Sequence, residues 1–280
     1  MQETREPAGQ SSTSQLRPPE QVGSPHTRRV VCYAHRGARA YAPENTLLAF
    51  DLAFDVGADA IECDVQRSSD GQLVIIHDGT VNRTTNGAGL VAHLSFEELR
   101  MLDAGRAARL PQRIPTLDET LALVHRRGGG INLEIKGESL AESIATAEAV
   151  EPVLRGLDEA FRVRVLVSSF DHPAVRVLKE RLSWLRVGAL YGSRAWRRRD
   201  MLAPAIDMGA EAIHPGAGLV TGDLVRRAHD AGLHVNVWTA NRWGTIRHLI
   251  EWGVDGIFSD YPERVVIART IARGALPSEE

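Results

Sequence analysis

From Val30 onward, short runs of β-branched and apolar residues alternate with longer stretches whose apolar positions recur at helical spacing. Strands are predicted in "VVCYA", "AIECDV", "GINLEIK", "RVLVSSF", "LRVGALY", "AEAIHP", "LHVNVWT" and "DGIFSD". Helices are predicted between them in segments such as "NTLLAFDLAFDVG", "TLDETLALVHRRG", "DLVRRAHDAG" and "TIRHLIEWG", with "PERVVIARTIARG" closing the series. Eight strands with helical or mixed connections are the count of a (β/α)8 TIM barrel, an α/β fold. A doubly wound open sheet would carry a Gly-x-Gly-x-x-Gly turn after a strand, and no strand here is followed by one.

One local pattern recurs in "GADAIECD", "GAEAIHP" and "GVDGIFSD": a helix-ending Gly, an acidic linker, then a strand with polar last residues. In a barrel those strand ends form the face that carries chemistry, although polar residues also resume at strand ends for no other reason. The connection after "LVIIHD", about residues 79–113, is too long for an ordinary strand-to-helix link. It holds "SFEELRML", a short helix with a Ser cap and Glu three residues on, and reads as an insertion over one side of the barrel mouth.

Composition narrows the class. Apolar residues make up 43% and charged residues 25% of the 280, enough for a packed core throughout. A net charge of −3 argues against nucleic-acid partners, which demand a basic face. No apolar run approaches the roughly 20 residues that span a bilayer, so no stable membrane insertion is expected. Cys32 and Cys63 sit inside apolar runs and read as buried free thiols. Residues 1–28 are polar and rich in Pro, Ser and Gln, without the apolar segment of a signal peptide. They read as a disordered tail on a cytoplasmic protein, leaving 29–274 as the barrel domain.

Candidate chemistry gathers at the strand ends. In "IECDV", Glu62 and Asp64 share one face and Cys63 takes the other, towards the helices. Adjacent carboxylates repel unless a cation sits between them, and oxygen ligands favour Mg²⁺ or Ca²⁺; a solvated strand end without metal is the alternative. In "INLEIKG", Glu134 could complete a three-carboxylate site, with Lys136 beside it for an anion. Lys136 is one of only two lysines in an arginine-rich chain, which suggests that a compact ammonium is wanted there. His35 and His77 each follow an apolar run. Taken singly, each is a structural hydrogen-bonder; together they can accept and donate a proton, while Arg36 and Lys136 clamp a phosphate. Pro43-Glu44-Asn45-Thr46 starts the first helix, with Asn45 or Thr46 as cap and Glu44 as a brace for the His-Arg pair. Phe170 and His214 also end strands, open to substrate contact or to rim packing.

Taken together these residues resemble the glycerophosphodiester phosphodiesterase family, from about Val30 to Pro262. The resemblance rests on "AHRGARAYAPENTLLAF", "GADAIECDVQRSSDGQLVIIHD", "NRTTNGAG", "INLEIKG", "VSSFD", "VNVWTAN" and "GVDGIFSDYP". It implies a TIM barrel with a small insertion after the second strand. It implies His35 and His77 as general base and acid, and Glu62, Asp64 and Glu134 as ligands of a divalent metal. Arg36 and Lys136 would hold phosphate, and Trp238 would wall the glycerol. The implied reaction turns a small glycerophosphodiester into glycerol 3-phosphate and an alcohol, beginning with attack by the glycerol's own hydroxyl. Gly137 departs from the Pro common at that place, which bears on substrate preference. The alternative is a lysophospholipase D working at a membrane surface, for which Phe96, Leu99, Met101 and Leu102 would supply an apolar rim.

Overall fold

The computed structural model describes residues 29–105, 109–192 and 194–274; the tail predicted over 1–28 lies outside the described residues. Alternation along each strand sorts the side chains into two sets, and that sorting builds the fold. Strand β1 (Val31–His35) pairs in parallel with β2 (Ala60–Arg67) on one side and with β9 (Gly256–Ser259) on the other. Between them run β4 (Gly130–Ile135), β5 (Val165–Ser169), β6 (Arg186–Tyr191), β7 (Ala212–Pro215) and β8 (His234–Val237), each parallel to its neighbours, so that eight strands close into a barrel. A short ninth strand, β3 (Leu73–Ile75), runs antiparallel to the end of β2 and leads into the insertion. In sequence, "LVIIHD" shows only an apolar run and gives no sign of this partner.

Outward residues such as Ile61, Cys63, Leu133 and Val167 are fully or almost fully buried beneath the helical layer. There they meet Phe50 of α1 (Leu47–Asp55) and Leu121 of α3 (Leu117–Arg127). Burying a side chain of this size contributes about 1.5–3 kcal/mol. Cys63 thus faces the helices, as the alternation predicts, and Cys32 and Cys63 are both free thiols. The inward set closes the barrel floor with Tyr33, Ala60, Leu166 and Phe258, and turns polar towards the strand C-termini. Glycine makes room there: a Cβ on Gly188 would stand 2.5 Å from Nε2 of His214.

Helix ends follow their local signals. Thr46 caps α1, its Oγ1 accepting from the Ala49 amide at 3.2 Å, and Thr116 with Glu119 forms a capping box at α3. The recurring glycines Gly57, Gly209 and Gly253 lie at φ +91°, +71° and +80°, the left-handed conformation that ends a helix cheaply only without a Cβ.

The insertion has a core of its own. Val74, Ile76, Val81, Val91, Leu99, Ala104 and Ile114 form a separate buried cluster. Its helix α2 (Phe96–Met101) starts with the Ser95–Glu98 capping box. Among the described residues no helix is long and apolar enough to cross a membrane.

Candidate active site

Strand β1 ends on His35, and the chain then turns through Arg36 at φ +55° and Gly37 at φ +81°. A Cβ on Gly37 would lie 2.6 Å from the backbone of Ala49, so the turn is pressed onto α1. Arg36 holds a backbone conformation uncommon for a residue with a Cβ, and its surroundings fix it there. Its amide donates to Oε2 of Glu62 at 2.9 Å, and its guanidinium donates to Oε1 of Glu44 at 2.9 Å and stands 3.4 Å from Oδ2 of Asp64. Asn45, also at φ +55°, donates Nδ2 to Asp64 Oδ2 at 2.8 Å. Thr46 therefore caps the helix, while Asn45 is spent on the acid. The loop from His35 to Thr46 is a clasp around the two carboxylates of β2.

The predicted carboxylates converge. Glu62 and Asp64 lie on β2, and Glu134 on β4 pairs in register with Asp64. One oxygen from each lies within 4.8 Å of the others, a group able to hold a metal ion. All three side chains are buried, and Glu62 Oε1 and Asp64 Oδ1 accept no hydrogen bond from any described residue. Nζ of Lys136 sits 2.6 Å from Glu134 Oε1 and 3.3 Å from Asp64 Oδ1. Burial, with Asp64 and Glu134 close by, pushes the Glu62 carboxyl well above the usual range. Burial and Asp64 push Glu134 up to about 7 against the pull of Lys136. Asp64 goes the other way: burial opposes ionisation, but Lys136 and Arg36 hold it down to about 2. Hard oxygen donors, a buried Glu62 oxygen without a donor and carboxyls that cannot all ionise unaided fit a divalent cation.

Both predicted histidines face the same cavity, and each is held by an acid that sequence reasoning missed. His35 Nδ1 is 2.7 Å from Oδ1 of Asp260, whose Oδ2 accepts from Asn241 Nδ2 at 2.8 Å. His77 Nδ1 is 2.7 Å from Oδ1 of its neighbour Asp78. Asp78 and Asp260 are both shifted towards ionisation, and a carboxylate only accepts, so Nδ1–H is the donor in each pair. Burial lowers both histidine pKa values, against the upward pull of the acids beside them. Glu44 is the brace the sequence suggests: burial alone would raise it, but Arg83, Arg36 and Arg39 hold it down to about 2.

The cavity between these groups has a volume of about 130 Å³. It is lined by the polar groups of His35, Arg36, Glu62, His77, Glu134 and Lys136 and by the apolar Phe170, Leu190, Trp238 and Phe258, with Asn132 and Ser168 completing it. Trp238 stands edge-on to Phe170 at 5.4 Å and is anchored by Nε1 donating to the carbonyl of His214 at 2.8 Å. Every predicted site residue is thus in one place: seven line this cavity, and the eighth, Asp64, lies buried in the acid group. His214 is neither at the rim nor on the cavity wall. It is fully buried in the barrel, with Nε2 3.1 Å from Asn236 Nδ2.

A buried acid triad, a paired Arg and Lys and two oriented imidazoles at the C-terminal mouth of a (β/α)8 barrel define a hydrolase of phosphate esters. Residues 35–264 match the glycerophosphoryl diester phosphodiesterase family. A glycerophosphodiester phosphodiesterase of Caldanaerobacter subterraneus subsp. tengcongensis is 37% identical over 243 residues, 85% of this chain and 97% of the relative. One of Bacillus altitudinis is 37% identical over 246 residues, again 85% of this chain and 97% of the relative. Among solved structures, an Oleispira antarctica phosphodiesterase in complex with the product sn-glycerol-3-phosphate superposes with a TM-score of 0.76 at 32% identity, covering 86% of this chain and 96% of that one. The chain belongs to the glycerophosphoryl diester phosphodiesterase family and is a phosphoric diester hydrolase.

Proposed function

We propose that this enzyme hydrolyses small glycerophosphodiesters to glycerol 3-phosphate and an alcohol, with His35 and His77 moving the protons. The observation that carries the reading is the pair of imidazoles, each tied at Nδ1 to a carboxylate, facing one cavity with Arg36, Lys136 and the acid group. Tying Nδ1 reserves Nε2 of each ring for substrate. Arg36 and Lys136 bind the non-bridging phosphate oxygens, and Trp238 with Phe170 forms the apolar wall for the glycerol carbons. His35 takes the proton of the glycerol hydroxyl as its oxygen bonds to phosphorus. The bond from phosphorus to the alcohol oxygen breaks, and His77 protonates that oxygen. In the second half the roles reverse: His77 takes a proton from water as the water oxygen bonds to phosphorus, the bond from phosphorus to the glycerol oxygen that attacked first breaks, and His35 returns a proton to that oxygen. Glu62, Asp64 and Glu134 would hold Mg²⁺ or Ca²⁺, which when bound draws negative charge off the phosphate. The product bound by the Oleispira neighbour supports this substrate class. The buried free thiols Cys32 and Cys63 support a reducing, cytoplasmic setting.

The lipid reading loses its one support. Leu99 is buried in the insertion core, Phe96 and Leu102 pack on it, and of the four suggested rim residues Met101 alone is exposed. The deciding measurement is glycerol 3-phosphate release from water-soluble diesters and from lysophospholipids, with and without chelator. The proposal expects turnover of the soluble diesters that stops with chelator and returns with Mg²⁺ or Ca²⁺. Turnover confined to the lipids, or indifferent to chelator, would refute it.

A further inference from the structure

The stretch "NRTTNGAG" carries Arg83, a residue of the insertion to which the reaction above gives no task. Its guanidinium spans two carboxylates. Nε and Nη2 donate to Asp78 Oδ2 and Oδ1 at 2.6 and 3.0 Å, while Nη1 and Nη2 donate to Glu44 Oε2 and Oε1 at 2.9 and 2.8 Å. Asp78 is the acid on His77, and Glu44 is the acid on Arg36. On the far side of Glu44, Arg39 places Nη2 3.0 Å from Glu44 Oε2 and Nη1 3.8 Å from Oδ1 of Asp260, the acid on His35. Charges of alternating sign, Asp78–Arg83–Glu44–Arg39–Asp260, therefore run from the support of one histidine to the support of the other.

We infer that Arg83 is a positioning residue for the proposed reaction: it locks Asp78 onto His77 and ties that arm through Glu44 to the phosphate-binding Arg36. The inference rests on the phosphodiesterase reading above and deepens it. An isolated exposed ion pair contributes about 0–1 kcal/mol and organises little. Arg83 differs in geometry, because a planar fork engages two carboxylates at once, a contact a lysine cannot reproduce. Without it, Asp78 and Glu44 repel each other across the gap and Asp78 is free to swing off the His77 ring. The arm that protonates the leaving alcohol then loses its alignment, whereas the acid group keeps its own clasp of Asn45 and the Arg36 amide.

The experiment compares wild type with Arg83→Met, Asp78→Asn and the double variant on two glycerophosphodiesters. One has a simple alkoxide leaving group; the other has p-nitrophenolate, which leaves without a proton. For Arg83→Met, kcat on the alkoxide substrate is expected to fall about 10- to 100-fold, the cost of misplacing a catalytic group, with KM little changed. The loss in the pre-steady-state release of nitrophenolate, which precedes the water step His77 also serves, should be several-fold smaller, and the double variant no worse than the poorer single variant. Arg83→Lys keeps the charge without the fork and so threatens folding less; it should show the same leaving-group dependence in weaker form. Equal losses on both substrates, losses that add in the double variant, or a kcat near wild type would each overturn the inference. A second readout does not depend on turnover: the ring Nδ1–H resonance of His77 should broaden in Arg83→Met while that of His35 persists. If wild type releases no glycerol 3-phosphate, the parent reading fails; an unchanged His77 resonance defeats the Arg83 role by itself.

Discussion

His214 makes the stability of this barrel depend on pH in a way that can be worked from its surroundings. The ring is fully buried, lies tilted against Phe258 at 5.2 Å between centroids, and touches Asn236 through Nε2, while Nδ1 meets no partner among the described residues. Burial alone drives its pKa down to about 3. In the unfolded chain a histidine titrates near 6.5. Below that pH the unfolded state binds a proton that the native state refuses, so stability is intact above about pH 6.5 and falls as pH drops towards about 3. Between about pH 7.5 and about pH 5.5 the loss attributable to this one ring is about 1.4 kcal/mol. Urea unfolding of wild type and His214→Gln at both pH values isolates the effect, because every other titrating group cancels in the comparison. Wild type should lose about 1.4 kcal/mol more than the variant over that interval. Identical pH dependence in the two proteins would show that the buried ring takes up a proton as readily as in the unfolded chain, so that burial does not shift it.

Two further expectations concern neighbouring features. Glu62→Gln removes a charge from the acid group while keeping its shape, and calorimetric titration with Mg²⁺ or Ca²⁺ should show at least about tenfold weaker binding. Affinity equal to wild type would remove Glu62 from the metal site. Gly188→Ala sets a methyl 2.5 Å from the His214 ring inside the barrel, and should cost about 1–3 kcal/mol, read as a melting point lower by several degrees. An unchanged melting point would mean that the ring has room to move.

The barrel was legible because its strands are short, β-branched and separated by helical spacing, and because closure needs only that count and order. Glu62 with Asp64, and Glu134 with Lys136, were legible for a related reason: a strand repeats every two residues, so each pair must share a face. The supports of the histidines were harder to see. Asp260 lies 225 positions from His35, and only ring closure between β1 and β9 brings them together. Asp78 was within reach, since an acid directly after a strand-end histidine is a local signal. Arg83 and Arg39 carry no such mark in a chain full of arginine. For His214 the strand assignment was right and the depth was not. Position along a strand does not say how far below the mouth a side chain lies, because strand tilt and the gap left by Gly188 decide that.

The two proton-carrying arms rest on foundations of unequal depth. His35 and Asp260 are rooted at the ends of β1 and β9, in the closed ring itself. His77 and Asp78 stand where the insertion begins, on a small core of seven buried residues separate from the barrel's. A local opening of that satellite core would carry off one arm while the ring and its carboxylates stay folded. The enzyme therefore has a route to losing half of its acid–base pair without unfolding, and heat should silence it before it melts it.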